Sequence, residues 1–177
     1  SHFRLYEKLG AHLLRGEKTN GCHFAVWAPD AEQVSVVGNF NDWSEESHPL
    51  HPRGQSGIRQ GFIPAVGRGT LYKYHIASRY NGYRVNKADP FSIFNEIPPK
   101  TASIVWDLEY AWGDQEWMAQ RRQRSGLDRP VAIYEMHVGS WRRMPEEGNR
   151  SLSYRELASQ LADYLERMGF THVEFLP

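Results

Sequence analysis

A chain of 177 residues has room for one sizeable domain, or for one domain and part of another. Lys plus Arg and Asp plus Glu each total 21, a balance that argues against a long basic surface for nucleic acid or an anionic membrane and suits a neutral ligand. One cysteine, Cys22, rules out an internal disulfide. With neither a membrane-length apolar run nor a secretory leader pattern, the chain reads as soluble and cytoplasmic.

Six Trp, nine Tyr and eight Phe serve equally to fill a β-sandwich core or to stack on the apolar faces of sugars. Composition alone does not separate the two uses.

Residues 1–18 read as a lead-in. From 19 to 108, short β-rich runs at 23–27, 34–37, 58–63, 71–77, 83–85 and 103–106 are separated by Gly, Pro, Asn or Asp. In 71–76, Tyr72, Tyr74 and Ile76 share one face while Lys73 and His75 share the other. About six strands in some ninety residues predict a mainly β fold, an immunoglobulin-like β-sandwich. Residues 109–130 are polar, with a basic cluster Arg121-Arg122-Gln123-Arg124 that reads as a solvated helix or linker face. They form the predicted connector.

The last segment, 131–177, changes style. Val131 to Val138 is strand-like, and Ser153 followed by Glu156 is a capping box. Leu157, Leu161, Tyr164, Leu165 and Met168 make one apolar helical stripe, which Gly169 is placed to end before a second strand from Phe170 to Leu176. Strand, helix and strand make a βαβ unit with parallel pairing. A parallel sheet of two strands leaves an open edge, so the expectation is an α/β domain broken off near Pro177.

Three positions stand out as ligand candidates. Gly38-Asn39-Phe40-Asn41-Asp42-Trp43 ends a strand in a polar turn that presents Trp43, which either closes one end of the sandwich or stacks on a ligand. Lys73 lies on the strand face opposite two tyrosines. Asn81-Gly82 predicts a tight hairpin turn with Tyr83 at its exit. His48 and His51 lack Cys or acidic partners at ligand spacing, and the turn glycines at 54–57 and 67–69 lack the strand and helix of a phosphate cradle, so no metal and no cofactor are expected.

Phe24-Ala25-Val26-Trp27-Ala28-Pro29, Gly38 to Trp43, Tyr72-Lys73-Tyr74 and Lys87-Ala88-Asp89-Pro90 resemble, in order and spacing, the glycogen-binding carbohydrate modules. Such modules precede the barrel of branching and debranching enzymes and occur in the β subunit of AMP-activated kinase. The resemblance implies that Trp43 and Tyr83 stack on glucose rings and that Lys73 bonds sugar hydroxyls. Tyr83 stands where the kinase-subunit module has Trp. Ile133 to Arg142, Ser153 to Ala158 and Met168 to Pro177 resemble the first strand, first helix and second strand of the (β/α)₈ barrel of the branching enzymes, within the α-amylase superfamily.

The implied parent activity is cleavage of α-1,4-glucan and transfer of the freed segment into an α-1,6 branch, by retaining double displacement. The catalytic carboxylates are then expected beyond Pro177, and Glu135, His137 and Glu174 read as structural. The implied partners are α-1,4-glucan or glycogen and the remainder of the barrel. The alternatives are a stand-alone glucan-docking module, or the matching part of a debranching or trehalose-releasing relative.

Overall fold

The computed structural model describes residues 2–16, 20–124, 126 and 128–176. Ser1, the 18/19 boundary of the lead-in and Pro177 therefore lie outside the described residues, as does the side chain of Arg124. The chain divides into two units, Ser1–Tyr110 and Ala111–Pro177.

The first unit holds eight strands among its described residues: β1 (Gly10–Arg15), β2 (Asn20–Trp27), β3 (Ala31–Gly38), β4 (Pro49–Pro52), β5 (Ile58–Pro64), β6 (Leu71–Ser78), β7 (Arg84–Lys87) and β8 (Ser103–Ile104). They form one continuous antiparallel sheet in the order β1-β2-β5-β4-β3-β6-β7, with β8 also on β6. Continuity depends on β4. Its first half pairs with β3 (Val34↔Leu50, Ser35↔Pro49) and its second half with β5 (His51↔Gln60, Pro52↔Arg59).

The sheet curls so that its halves meet across a core. Phe24 of β2 packs edge-on against Tyr72 of β6, ring centroids 5.1 Å apart, and the Tyr74 hydroxyl donates to the Ala25 carbonyl at 3.5 Å. Alternate residues of three strands (Cys22, Phe24 and Val26; Val34 and Val36; Tyr72 and Tyr74) supply most of that core, as the period of two requires. Burial pushes the Cys22 thiol up to about 12 and keeps it protonated.

Two strands depart from the sequence expectation. Segment 1–18 is no mere lead-in, since β1 pairs with β2 along its whole length. Ala11 and Leu13 pack on the core, while Leu14 is left exposed. That outward leucine blurs the alternation that would have marked the strand. β4 is flanked by prolines, which argue against a central strand; here they sit at its two ends and only Leu50 is buried.

In the second unit α1 (Gln115–Arg124) occupies the predicted connector. The strand β9 (Ile133–His137) and the hairpin of β10 (Arg143–Met144) with β11 (Arg150–Ser151) lead to α2 (Tyr154–Met168) and β12 (His172–Leu176). β12 lies parallel to β9 with Val173 opposite Tyr134 and Phe175 opposite Met136. The helix begins and ends as the sequence predicts. The Ser153 N–H donates to Glu156 Oε2 at 2.7 Å, Glu156 N–H returns a bond to Ser153 Oγ, and Gly169 closes the last turn with φ 76°.

Leu157 and Leu161 of α2 pack on Met136, with Tyr134, Val138 and Leu165 around them. Met168, the last member of the predicted stripe, is exposed. Ile133, Glu135, His137, His172, Glu174 and Leu176 fall on the opposite face of the two strands and are exposed within this unit.

Candidate functional site

The loop between β3 and β4 is held by one asparagine. Asn41 Oδ1 accepts the Gly38 N–H at 2.9 Å, and its Nδ2 donates to the Val36 carbonyl at 3.0 Å and lies 3.0 Å from His48 Nδ1. Gly38 has no room for a side chain, because a Cβ there would collide with the Leu71 carbonyl and the Phe40 ring. Asn39 extends the anchorage to the next strand: its Oδ1 accepts the Leu71 N–H at 3.1 Å.

These bonds hold Asp42 and Trp43 in the left-handed region, φ 51° and 58°, a conformation that costs a non-glycine residue roughly 1–2 kcal/mol. Trp43 N–H donates to the Gly38 carbonyl at 2.9 Å, and its side chain is 38% exposed. Trp43 is thus partly covered and partly open to solvent.

The loop then turns back over the outer face of the sheet. Glu45 Oε1 lies 3.2 Å from Nδ1 of His75, which also meets Asn86 Oδ1 at 2.8 Å. His75 shares its face with Lys73, as the alternation predicts, but this cover buries it. Its Nε2 and the neighbouring Ser35 Oγ are buried and, among the described residues, have no hydrogen-bond partner.

Lys73 sits beside Val37 of β3 and is half-buried. Its ammonium donates to Thr101 Oγ1 at 2.7 Å, which fixes the side chain and leaves two N–H groups for another acceptor. Trp43 and Lys73 are thus brought to one end of β6.

Tyr83 is not. It follows a turn in which Asn81 and Gly82 both have positive φ, 54° and 62°, the type I′ geometry that suits Asn-Gly. Its carbonyl accepts the Ser78 N–H at 2.8 Å, which puts it at the opposite end of β6 with the ring 56% exposed. Lys73 and Ser78 are five residues apart on that strand, or about 17 Å at the usual rise per residue.

Asp89, in the Lys87-Ala88-Asp89-Pro90 run, has a role that its sequence context does not show. It is buried beneath this end of the sheet, where Oδ2 accepts the hydroxyls of Tyr72 (2.7 Å) and Tyr74 (3.1 Å), Oδ1 accepts the Phe91 N–H (2.8 Å), and its own N–H donates to Ser103 Oγ (2.9 Å). Burial raises its carboxyl above the usual range, against the pull of those bonds. Burial beside this acid likewise raises both tyrosine hydroxyls. The available signal was an acid between two buried-face tyrosines and a proline-led turn, visible only once β6 and β8 are adjacent.

In the second unit Glu135 stands opposite Glu174 in the β9–β12 register, and His137 Nδ1 lies 3.1 Å from Ser140 Oγ. Trp141 Nε1 donates to the Tyr134 hydroxyl at 3.0 Å, joining Tyr134, Tyr164 and Phe170 in one aromatic cluster. No helix of the described residues is long and apolar enough to cross a membrane.

Residues 8–92 match the family model of Carbohydrate-binding module 48 (Isoamylase N-terminal domain). The chain is 49% identical over 178 residues to 1,4-alpha-glucan branching enzyme GlgB of Paramagnetospirillum magneticum, covering 100% of this chain and 24% of that protein. It is 51% identical to the GlgB proteins of Myxococcus xanthus and Aquifex aeolicus, with 99% and 100% of this chain and 24% and 28% of those proteins covered. The chain therefore spans about a quarter of the length of these relatives. The crystal structure of Klebsiella pneumoniae pullulanase complexed with maltotriose shares the fold, with a TM-score of 0.64 at 22% identity over 96% of this chain and 17% of that one.

Proposed function

We propose, because residues 8–92 belong to the carbohydrate-binding module 48 family, that this chain binds α-1,4-glucan as the N-terminal part of a glycogen branching enzyme. The observation that carries the reading is the identity of about 50% to branching enzymes along the whole chain, 131–177 included. The parent enzyme cleaves α-1,4-glucan in the cytoplasm and transfers the segment to form α-1,6 branches, with retention through a covalent glycosyl-enzyme.

Residues 19–108, with β1 added at their edge, act as the carbohydrate module, and 109–130 as a connector. Residues 131–177 act as the first βαβ unit of a (β/α)₈ barrel, whose remainder is the chain's partner. The parallel β9–α2–β12 arrangement supports this, since its exposed second face is the face a barrel turns inward. Trp43 stacks on a glucose ring and Lys73 donates to hydroxyls beside it; Tyr83 offers a second ring further along the sheet. The carboxylates of the reaction lie beyond Pro177, so this chain alone does not branch glucan. A maltotriose complex of a protein with the same fold is in keeping with a glucan ligand.

The test is calorimetry of the chain with maltoheptaose and with glycogen, beside a Trp43→Ala version. Stacking and a few hydrogen bonds on an open surface predict a Kd on the order of 10⁻⁴ to 10⁻³ M, lost in the variant. A folded parent chain that binds neither ligand would overturn the binding role. Branching of amylose by this chain, followed by iodine staining, would overturn the placement of the catalytic groups.

A further inference from the structure

The end of the sheet away from Trp43 carries a second cleft. The registers Trp27↔Ile58, Pro52↔Arg59 and Ala31↔Ser78 bring the turns after β2, β4 and β6 to that end. Between them lies a cleft of about 350 Å³ lined by Trp27, Pro29, Pro52, Gly57, Arg59 and Arg79, among others.

Trp27 ends its strand 63% exposed, and among the described residues its indole N–H has no hydrogen-bond partner. Its placement against the 53–57 turn depends on Gly57, where φ is +76° and a Cβ would stand 3.0 Å from the indole Nε1 and 2.9 Å from Pro29 Cβ. A large flat ring is thus held at the mouth of the cleft rather than folded into the core.

The charges around it are one-sided. Arg59 is half-buried and uses Nη2 to donate to the Ala31 carbonyl at 2.6 Å; Arg79 is exposed. Among the described residues neither guanidinium meets a carboxylate within ion-pair distance, and the lining contains no Asp or Glu. Asp30 accepts the Arg79 backbone N–H through its carbonyl, not its carboxylate. Two positive charges line one small cleft without a carboxylate among its lining residues, so an anion there is favoured. The charged and indole groups of the lining are all donors, which suits an acceptor-only group, and guanidinium matches phosphate geometry in particular.

We infer that this cleft binds the phosphate ester of a sugar, with Arg79 and Arg59 holding the phosphate and Trp27 stacking on the ring. A volume of this size holds a monosaccharide. Both a free hexose phosphate and a phosphoryl group on a glucan chain have this chemistry. The site is separate from the Trp43 surface and stands or falls independently of it.

The test is calorimetry and tryptophan fluorescence of the 177-residue chain with glucose 6-phosphate, glucose, inorganic phosphate and phosphorylated maltodextrin. Glucose 6-phosphate should bind in the millimolar range, at least tenfold tighter than glucose or phosphate, and weaken as salt rises. Arg79→Gln and Trp27→Ala should each weaken it at least fivefold, Trp27→Tyr less, and Trp43→Ala not at all, with circular dichroism confirming that every variant is folded. In the Trp43→Ala background, which removes the other glucan surface, tighter binding of the phosphorylated maltodextrin assigns the ester to the glucan, and tighter binding of glucose 6-phosphate to the free sugar. Glucose binding as well as its phosphate, phosphate binding as well as the ester, or an unaffected Arg79→Gln variant would each overturn the proposal.

Discussion

The side-chain oxygen of Asn41 accepts the backbone N–H of Gly38 at 2.9 Å, and through it the exposed Trp43 is tied to the end of a core strand. The same asparagine donates to the Val36 carbonyl and touches His48, so one short polar side chain supports a loop with two consecutive left-handed residues. A loop in that conformation persists only where its surroundings over-determine it.

Asn41→Ala removes those bonds and leaves the Gly38 N–H without its partner. The expected cost is about 1–3 kcal/mol of stability, together with weaker maltoheptaose binding, because the Trp43 ring is no longer held. Chemical denaturation and calorimetry on one preparation check both. Full binding by the variant would show that Trp43 needs no such support.

Separation of Tyr83 from Lys73 along β6 makes its contribution depend on ligand length. Tyr83→Ala should weaken a long glucan while leaving maltotriose binding at the Trp43 end unchanged, and Tyr83→Trp should strengthen the long ligand by enlarging the stacking face. Equal loss for short and long oligosaccharides would place the two aromatics on one compact subsite.

Asp89→Asn replaces two acceptor oxygens by one. The amide oxygen cannot serve both tyrosine hydroxyls and the Phe91 N–H as the carboxylate does. A loss of about 1–3 kcal/mol is expected, read as a lower denaturation midpoint of the first unit at neutral pH. A stability equal to the parent would show that the tyrosines find other partners.

Acid acts on the two units with opposite sign. Hydrogen bonds from Arg150, then from Ser153, hold the Glu156 carboxyl down at about 2 from an ordinary 4.5. Its support of the α2 cap is therefore present above pH 4.5 and lost as pH falls from there toward 2. Asp89 is raised by burial, so its folded form keeps a proton that the unfolded chain has released; this favours folding at the acid end and fades as pH rises through the folded value. Hydrogen exchange should show the amides of α2 losing protection between pH 4.5 and 2, an effect absent in Glu156→Gln.

Much of this protein follows from local pattern. Alternation in 22–26, 34–36 and 72–74 put Cys22, Phe24, Val26, Val34, Val36, Tyr72 and Tyr74 on the face that packs on the core, because a strand's period is two. Ser153, Glu156 and Gly169 marked both ends of α2, because caps are satisfied within a few residues of chain. Asn81-Gly82 marked its turn for the same reason.

Tertiary structure alone decided the rest. β4 joins the two halves of the sheet although prolines flank it, since each half of the strand needs a neighbour on only one side. His75, polar and on the outer face, is buried by a loop whose path depends on Glu45 and Asn41. Tyr83 lies far from Trp43, and Trp27 near Arg79, because strand direction rather than sequence order sets which turns share an end of the sheet. The sequence named side chains suited to a sugar, but a single chain order holds no distances between strands, and those are what set Tyr83 and Trp27 apart from Trp43.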